Sequence, residues 1–458
     1  MRLWSRIAVC VLVMFSLLAE QAPAWAQQAR RPNLIRDAEI EGFLRQLARP
    51  IFKAAGINPR SVRVYLIADD RINAFVAGGQ RIFIHTGLLT KAKTPNEIVG
   101  VLAHESGHVA GGHLASLNSE LERASAERII GMLLGAAAMV GGAIAGSKQT
   151  TRAGSGVLMG SQGMAQRNLL SYQRAMEASA DQAAIKYLSA TQQSAAGMLS
   201  LFQRLANDSI AMADRMDPYM QSHPMPLDRI RSIELAARKS PYFNKKDEPG
   251  MILRHELIKA KLMGFMESPQ KVYQAYPPSN DSLPARYARA IAMFRKGDLR
   301  GAIPVINTLT AELPQNPYFW ELEAQAYLEN GQPQLGLPAI KTAMELLPNN
   351  SLLQALNAQM LLATENPANA TAAIRLLQKA IRVEADTASF QKDLARAYAL
   401  KGDFGRAELA TAEYSLMTGD RNNAIERAKS AQTKLAEGTP EWVRAGDILN
   451  FASRKKKN

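Results

Sequence analysis

The sequence predicts a mainly α-helical fold with a small β-sheet, in which a compact N-terminal domain is followed by an α-solenoid. Three observations support this prediction. Strand-like patterns are confined to about residues 62–68 and 81–85, and helical patterns fill almost all of the remaining chain. Small residues and prolines recur at a fixed interval beyond residue 285. With 458 residues, of which 47% are hydrophobic, the chain is long enough for about two or three domains with substantial cores.

The N-terminus has the three parts of a secretory signal. Arg2 and Arg6 form a charged region, residues 7–18 form an apolar one, and Ala-Trp-Ala at residues 24–26 is a small-residue cleavage site. We therefore expect an exported protein from which residues 1–26 are removed.

Cysteine usage and net charge restrict the possible function classes. Cys10 is the single cysteine and lies within the predicted signal, too early for a lipoprotein cleavage site, so the mature chain would have neither a disulfide nor a catalytic thiol. The formal net charge of +14 is compatible with binding to nucleic acid or to an anionic membrane surface. Export argues against nucleic acid. The basic tail at residues 454–458 is either a solvated chain end or a contact for an anionic envelope surface.

The most informative motif is His-Glu-Ser-Gly-His at residues 104–108, within an apolar helical stretch that lacks proline. Residues four apart lie on one face of a helix, so His104 and His108 are able to bind one metal ion while Glu105 lies beside a coordinated water. The pattern predicts a zinc hydrolase. Because such short patterns also occur by chance on helices that bind no metal, the prediction depends on a third ligand.

His113 is one candidate for the third ligand, but its spacing is wrong. A metzincin would have its third histidine at Leu114. At about 100° per residue, His113 points well away from the side of the helix that carries His104 and His108. We therefore expect His113 to be structural or to act from behind the metal ligands.

A second predicted helix, at residues 169–188, supplies a better candidate. Glu177 and Asp181 are four residues apart, so one helical face presents a carboxylate for the metal and another that is able to orient an imidazole N–H from behind. The alternative is an ordinary solvated acidic face.

These two motifs together resemble those of the gluzincin-like M48 peptidases, in which HExxH is followed by the pattern Glu-x-x-Ala-Asp seen at residues 177–181. A third fragment strengthens the resemblance. His223 and Pro224, with Arg229 six residues after the histidine, are similar to the His-Pro…Arg element of bacterial members. The family implies that this histidine can approach the zinc and that the arginine lies in the active-site region.

Residues upstream of the HExxH helix also match this family. They comprise residues 73–75 and 81–89, and the family places a strand at the edge of the cleft. We expect the strand at residues 81–85 to hold substrate as an added β-strand. The resemblance covers about residues 35–240, and it predicts a peptidase domain at residues 27–265.

Taken together, His104, His108 and Glu177 would hold one Zn²⁺ per chain and leave one coordination position open. Glu105 would take the proton of the attacking water and pass it to the leaving amine of a peptide bond. His223 would close the site if it occupied the open position, and its proline-flanked loop could also withdraw it. We expect a latent zinc endopeptidase. The alternative is a non-catalytic repeat scaffold or chaperone with a closed zinc site, although such a site has no need of Glu105.

The C-terminal portion, residues 285–453, is a predicted array of tetratricopeptide repeats. Such helix pairs stack into a concave solenoid that typically binds a peptide or protein partner, and the alternative is a spacer without a ligand. Prolines and short polar residues at 266–284 predict a linker before the repeats. Three pairs of small or proline residues are each 34 positions apart: Gly297 and Gly331, Ala290 and Ala324, and Pro314 and Pro348.

One apolar stretch interrupts the peptidase-like region. Residues 129–146 reach only the lower length limit for a membrane span, are rich in glycine and alanine, and lie between the metal-binding motifs. We therefore predict a mobile lid or membrane-apposed segment at residues 129–165 in preference to a membrane span. Four glycines at residues 154–163 predict that the loop after the apolar stretch is flexible.

An exported M48 peptidase followed by tetratricopeptide repeats is similar to the periplasmic members of the family that enhance β-barrel assembly. The resemblance implies quality control and assembly of outer-membrane β-barrel proteins. Unfolded or misassembled outer-membrane proteins and the outer-membrane assembly machinery would be the partners. The best-known proteins of that type carry cysteines in their repeats, whereas this chain has none there, so no disulfide is inferred.

Overall fold

A computed structural model describes the following parts of the chain: residues 33–123, 125, 148–211 and 218–454. The predicted signal, the apolar stretch at 129–146 and residues 455–458 of the basic tail lie outside the described residues. Within the described residues, no helix is both long enough and apolar enough to cross a membrane.

The small sheet consists of four short strands: β1 (Leu34–Ile35), β2 (Arg63–Ile67), β3 (Ala74–Ala77) and β4 (Arg81–His85). Their order in the sheet is β1-β2-β4-β3. β2 pairs with β4 in parallel, and β3 pairs with β4 in antiparallel orientation. Gly78 and Gly79 form the turn between β3 and β4 with φ of +59° and +92°, where a residue with a Cβ would be strained.

Both predicted strands are present as β2 and β4, but the proposed role of β4 is wrong. β4 pairs with β2 on one side and with β3 on the other, so it has no free edge to accept a peptide. β3 lies at the end of the strand order and forms the edge of the sheet. Its four residues, Ala-Phe-Val-Ala, are too few for a recognisable alternating pattern, which is why the sequence did not reveal it.

The helices of the peptidase-like region and the sheet share one hydrophobic core. The strands contribute apolar residues such as Leu66, Ile82 and Ile84 to it. The helix that carries the HExxH motif begins at Pro95, and the side chain of Thr94 caps it by accepting a hydrogen bond from the backbone N–H of Glu97. The helices with both ends among the described residues are α1 (Ala38–Ala54), α2 (Thr86–Lys91), α3 (Pro95–Ala110), α4 (Lys148–Ala190), α5 (Ala196–Ala211), α6 (Pro218–Ser222), α7 (Leu227–Ala237), α8 (Pro249–Met266) and α9 (Pro269–Ala275). A further helix follows α3 at residues 113–123.

The predicted flexible loop with four glycines is helical instead. α4 is continuous over 43 residues and includes residues 154–163, so the prediction of a loop there is wrong. Each glycine disfavours a helix by only about 1 kcal/mol relative to alanine. The C-terminal part of α4 is anchored in the core by Ala180, Ala184 and Leu188, which are fully buried. Once such a helix is nucleated, extension adds one hydrogen bond for each residue that is fixed.

The C-terminal portion consists of consecutive helices that pack against their neighbours. They are α10 (Leu283–Arg295), α11 (Leu299–Glu312), α12 (Pro317–Glu329), α13 (Pro333–Leu346), α14 (Ser351–Ala363), α15 (Ala370–Val383), α16 (Ala388–Leu400), α17 (Phe404–Thr418), α18 (Arg421–Lys434) and α19 (Pro440–Arg454). Gly297 and Gly331 have φ of +81° and +73°, so the repeated glycines are required by left-handed turns between paired helices. The repeated Ala290 and Ala324 are fully buried where helices cross. The predicted fold class, a mainly helical peptidase domain with a small sheet and a repeat solenoid, is confirmed.

A buried group of charged side chains joins α1 to the repeats. Lys261 on α8 lies 2.7 Å from Asp37, 3.3 Å from Glu39 and 3.7 Å from Glu321 on α12. Tyr287 on α10 donates a hydrogen bond of 2.8 Å to Glu39. We refer to these five residues as the junction cluster. Removal of the repeats would leave Lys261 without Glu321 and Glu39 without Tyr287. The repeats therefore contribute to the stability of the N-terminal region.

A second set of contacts joins the repeats to β2 and to the segment before α1. Tyr65 donates a hydrogen bond of 2.7 Å to Asp386, which also forms an ion pair with Arg63. Arg36 donates to Thr387 at 2.6 Å and forms an ion pair with Glu384. The solenoid therefore contacts the peptidase-like region through polar side chains on several of its elements.

Candidate metal centre

α3 supplies three of the candidate site residues. Its apolar side, which includes Leu102, is buried in the core, and His104 and Glu105 are themselves completely buried. His108 lies one turn further along the helix, and its Nε2 is 3.1 Å from Nε2 of His104. Two imidazole nitrogens at this separation are arranged as two ligands of one metal ion.

α4 approaches α3 closely at Gly107, inside the HExxH motif. A Cβ at this position would lie 2.9 Å from the Cα of Ala180, so no larger residue fits without moving one helix. This close approach brings Glu177 to the histidines. Its Oε2 lies 3.3 Å from Nε2 of His104, and its Oε1 lies 3.3 Å from Nε2 of His108.

The separations between these ligand atoms fit a zinc ion. Zinc bonds to nitrogen and oxygen are about 2.0–2.1 Å long, so the ligand atoms of a tetrahedral site lie about 3.3 Å apart. The observed values for His104, His108 and Glu177 are 3.1–3.3 Å. Two imidazoles and one carboxylate are also a donor set that zinc prefers.

His223 adds a fourth ligand atom. Its Nδ1 lies 3.1 Å from both carboxylate oxygens of Glu177 and 3.3 Å from Nε2 of His104. Ligand atoms of His104, His108, Glu177 and His223 all lie within 4.8 Å of one another. The backbone N–H of His223 donates to the carbonyl of Tyr219 at 2.7 Å, and the two rings pack at 4.7 Å. The short loop after α6 thus presents this imidazole to the other three ligands.

Asp181 and Arg229 lie behind the ligands. Oδ1 of Asp181 is 3.0 Å from Nδ1 of His104, the ring nitrogen that faces away from the cluster. Arg229 on α7 contacts Asp181, and it also donates to the carbonyl of Pro224 at 2.8 Å. One guanidinium therefore links α4 to the loop that carries His223.

Burial and the two carboxylates give the histidines different affinities for protons. Burial alone would lower the pKa of His104, but hydrogen bonds with Asp181 and Glu177 raise this pKa to about 9. Burial lowers the pKa of His108 to about 4, although the hydrogen bond with Glu177 opposes it. Burial would raise the pKa of Glu177, but hydrogen bonds with His104, His108 and His223 outweigh burial and hold this pKa far below its ordinary value. A metal ion must therefore displace a proton from His104 when it binds.

Glu105 is the one acidic residue of the cluster that has no hydrogen-bond partner among the described residues. Both of its oxygens are buried, and its Oε1 lies 3.5 Å from Nε2 of His223. Burial raises its pKa above the ordinary value for a glutamate. A carboxylate held in this way is suited to accept and release a proton.

The sequence of the region that builds this cluster matches one family. Residues 35–237 match the profile of peptidase family M48. The chain contains an M48 peptidase domain. M48 peptidases are metalloproteases, and the cluster formed by residues on α3, α4 and the loop after α6 could hold their metal.

Relatives of this chain match much of its length at low identity. A beta-barrel assembly-enhancing protease from Yersinia pestis is 23% identical over 90% of this chain and 83% of its own length. The Vibrio cholerae relative, provisionally given the same name, is 25% identical over 62% of this chain. The protein of that name from Escherichia coli is 22% identical over 63% of this chain. The chain spans 58% of the length of each of these last two relatives.

The solved structures that are similar to this chain include that of MamA. The crystal structure of MamA covers 37% of this chain and 94% of its own chain at 19% identity, with a TM-score of 0.28. The helix pairs and their repeated glycines, described above, define the solenoid independently of that similarity.

A cleft of about 180 Å³ opens beside the candidate metal ligands of the M48 domain. Phe75 and Val76 on the edge strand β3 form one wall. Leu114, Leu117 and Met176 add apolar surface. The cleft is also lined by Glu105, His108, Glu177 and His223. The edge strand, an apolar subsite and the candidate metal ligands therefore share one cavity.

His113 contacts His108 from behind, in agreement with the expectation that it acts from behind the metal ligands, but the direction predicted for its side chain is wrong. α3 ends at Ala110, and residues 113–123 form a separate helix after a turn. Nδ1 of His113 lies 3.0 Å from Nδ1 of His108. The prediction assumed that α3 continues through His113. Gly111 and Gly112 could have indicated that it ends before this residue.

Sequence reasoning also missed Tyr219, which packs against His223, and the edge strand that lines the cleft. Tyr219 is only four residues before His223, but it belongs to none of the recognised motifs. Residues 73–75 match the family and overlap β3, but only the strand order shows that β3 is the edge of the sheet. His255 lies away from the metal cluster and contacts the carbonyl of Leu89 at 2.8 Å.

Proposed function

We propose that this protein is a zinc-dependent endopeptidase that is latent at rest, with His104, His108 and Glu177 as the core zinc ligands. The observation that carries the proposal is the convergence of their ligand atoms at 3.1–3.3 Å, the separations of a tetrahedral zinc site. Zinc bound there would supply Lewis-acid activation of a water molecule and of a peptide carbonyl.

Glu105 is the proposed general base. It would take the proton of the attacking water and deliver it to the amine that leaves when the peptide bond breaks, so that no net proton is consumed in this transfer. Its burial, its raised pKa and the lack of a hydrogen-bond partner for its carboxylate among the described residues support this role. Asp181 would orient His104, and Arg229 would hold Asp181 in place.

Substrate would bind along β3, the edge strand of the sheet. A peptide added to this edge would form main-chain hydrogen bonds, which favour unfolded segments with little regard to sequence. Leu114, Leu117 and Met176 would accept one apolar side chain near the cleaved bond. We therefore expect cleavage of extended, apolar segments such as exposed β-strands.

His223 is the proposed inhibitory residue. Its Nδ1 has the same spacing to Glu177 and His104 as the core ligands have to each other, so it would occupy the zinc position that water needs. The loop of Pro224 and neighbouring residues would have to move before water is activated. Such latency would protect an envelope compartment in which unfolded chains are common.

The clients and the location are inferred from the predicted secretory signal and from the names of the relatives. The predicted signal favours the periplasm, and proteins named beta-barrel assembly-enhancing protease support a role with outer-membrane β-barrel proteins. We propose that the repeats bind unfolded or misassembled outer-membrane proteins or the outer-membrane assembly machinery. The basic tail would add a contact with the anionic envelope surface.

The test is incubation of the zinc-loaded full chain with an unfolded outer-membrane β-barrel protein. Wild type is expected to cleave it slowly, and Glu105→Gln is expected to retain zinc but to lose cleavage, because the amide cannot accept a proton. Metal content is measured on the same preparations. Equal cleavage by the variant would contradict the mechanism.

The non-catalytic alternative is favoured by the same position of His223, since four protein ligands make a closed zinc site. It predicts that zinc-loaded wild type and His223→Ala both fail to cleave the unfolded protein while they still bind it. Cleavage by His223→Ala would exclude the alternative.

A further inference from the structure

We infer that His113 is a positioning residue for the metal site: it accepts a hydrogen bond from His108 and thereby fixes the tautomer and orientation of that imidazole. The inference rests on the proposed zinc site and deepens it. His113 is neither one of the three core ligands nor the general base, and its sequence position alone places it on the wrong side of α3.

The backbone after α3 is built to bring His113 back to the cluster. Gly112 has φ of +61°, a left-handed conformation that reverses the chain at the end of the helix. Gly111 leaves space for the imidazole, because a Cβ at this position would lie 2.3 Å from Nε2 of His113. The two glycines therefore serve different purposes: one directs the chain and the other admits the ring.

The contact between the two rings restricts where their protons are. Nδ1 of His113 and Nδ1 of His108 are 3.0 Å apart, so one of them must donate and the other must accept. Nε2 of His108 faces His104 and Glu177, the side on which a metal would bind. When Nε2 of His108 binds a metal, the ring carries its proton on Nδ1 and donates it to Nδ1 of His113.

This arrangement gives each metal-binding histidine of α3 its own partner. Nδ1 of His104 lies 3.0 Å from the carboxylate of Asp181, and Nδ1 of His108 lies 3.0 Å from the imidazole of His113. A partner of this kind holds the ring in the orientation that the metal needs and makes its other nitrogen a better ligand. His113 also lines the substrate cleft, so it forms part of the boundary between the metal site and the substrate.

The experiment compares two variants of nearly equal shape in the full chain. His113→Asn keeps an acceptor oxygen at the position of Nδ1, whereas His113→Leu fills the same space without an acceptor. The dissociation constant for Zn²⁺ is measured by competition with a chelator. We expect His113→Leu to weaken zinc binding by about 10- to 100-fold and His113→Asn to restore most of the affinity.

Gly111→Ala provides a second approach that leaves the imidazole in the chain. Its methyl group would displace the ring of His113, so the loss of zinc affinity should be similar to that of His113→Leu. Combining the two changes should give no further loss, since both remove the same hydrogen bond. This variant also decides the question if His113→Leu does not fold, as judged by thermal unfolding without metal.

The outcomes separate this inference from the proposed function. If wild type binds no zinc, the proposed zinc site is wrong. If wild type binds zinc and His113→Leu binds it equally well, only the role of His113 is wrong. If His113→Asn and His113→Leu lose affinity equally, the ring acts by packing and the hydrogen-bond role is rejected.

Discussion

Arg229 contacts Asp181 through two nitrogen atoms: Nε lies 2.6 Å from Oδ2, and Nη2 lies 2.9 Å from Oδ1. Its third nitrogen, Nη1, lies 2.9 Å from Oε2 of Glu177. Both carboxylates are on α4, one turn apart, and one of them is a candidate metal ligand. A single buried guanidinium therefore fixes the positions of both carboxylates.

Arg229→Lys is expected to weaken zinc binding by about 10- to 100-fold, because an ammonium group cannot replace the two-nitrogen contact with Asp181 and still reach Glu177. Chelator competition measures the change. Arg231→Lys on the same helix is the matched control, since the side chain of Arg231 is 75% exposed. If both variants bind zinc like wild type, the arginine does not position the ligands.

Glu177→Ala is expected to lose zinc under chelation that wild type survives, because only two core imidazoles and His223 would remain. Metal analysis after dialysis against the chelator is the measurement. Gln182→Ala, at an exposed position on the same helix, should behave like wild type. Retention of zinc by Glu177→Ala would mean that the third core ligand is another residue.

His223→Ala is expected to cleave an unfolded substrate faster than wild type, since it frees the position that Nδ1 of His223 shares with the metal ligands. Some zinc affinity should be lost with the fourth ligand, so the rate is compared at saturating zinc. If His223 instead stabilises the transition state as a donor, the rate would fall with zinc retained, and the inhibitory role would be rejected.

Glu321→Gln tests the junction cluster. Burial raises the pKa of Glu321 to about 7, although Lys261 opposes this effect. The folded state therefore binds more protons than the unfolded state between about pH 4.5 and 7, and the free energy of unfolding falls as the pH rises through this range. Glutamine resembles the protonated acid, so Glu321→Gln should remove that fall.

The quantity to compare is the free energy of unfolding of Glu321→Gln minus that of wild type. This difference should be more favourable to the variant at pH 8 than at pH 5 by about 1–3 kcal/mol. Denaturant unfolding of the full chain at both pH values is the measurement. Glu329→Gln, at an exposed position on the same helix, is the control and should not alter the pH dependence. If the variant and wild type differ in free energy of unfolding by the same amount at both pH values, Glu321 is ionised throughout this range.

The sequence alone was sufficient for the parts of the site that depend on local spacing. The four-residue separations of His104 from His108 and of Glu177 from Asp181 are set by helix geometry, so each pair lies on one face whatever the surrounding fold. The repeat period was also visible, because left-handed turns at Gly297 and Gly331 tolerate few other residues. Helix-level spacing and the repeat period therefore predicted the fold class and the pairing of residues within α3 and within α4, whereas the roles of His223 and Arg229 came from the resemblance to M48 peptidases.

Only the tertiary structure decided which segments meet. The contact between His113 and His108 depends on a chain reversal at Gly112, and the assignment of the cleft edge to β3 depends on strand order. The junction cluster joins Glu39 to Glu321, residues that no local pattern relates. Spacing along a helix is dictated by backbone hydrogen bonds within that helix. Contacts between distant segments are instead selected by the packing of the whole chain, which a single sequence does not display.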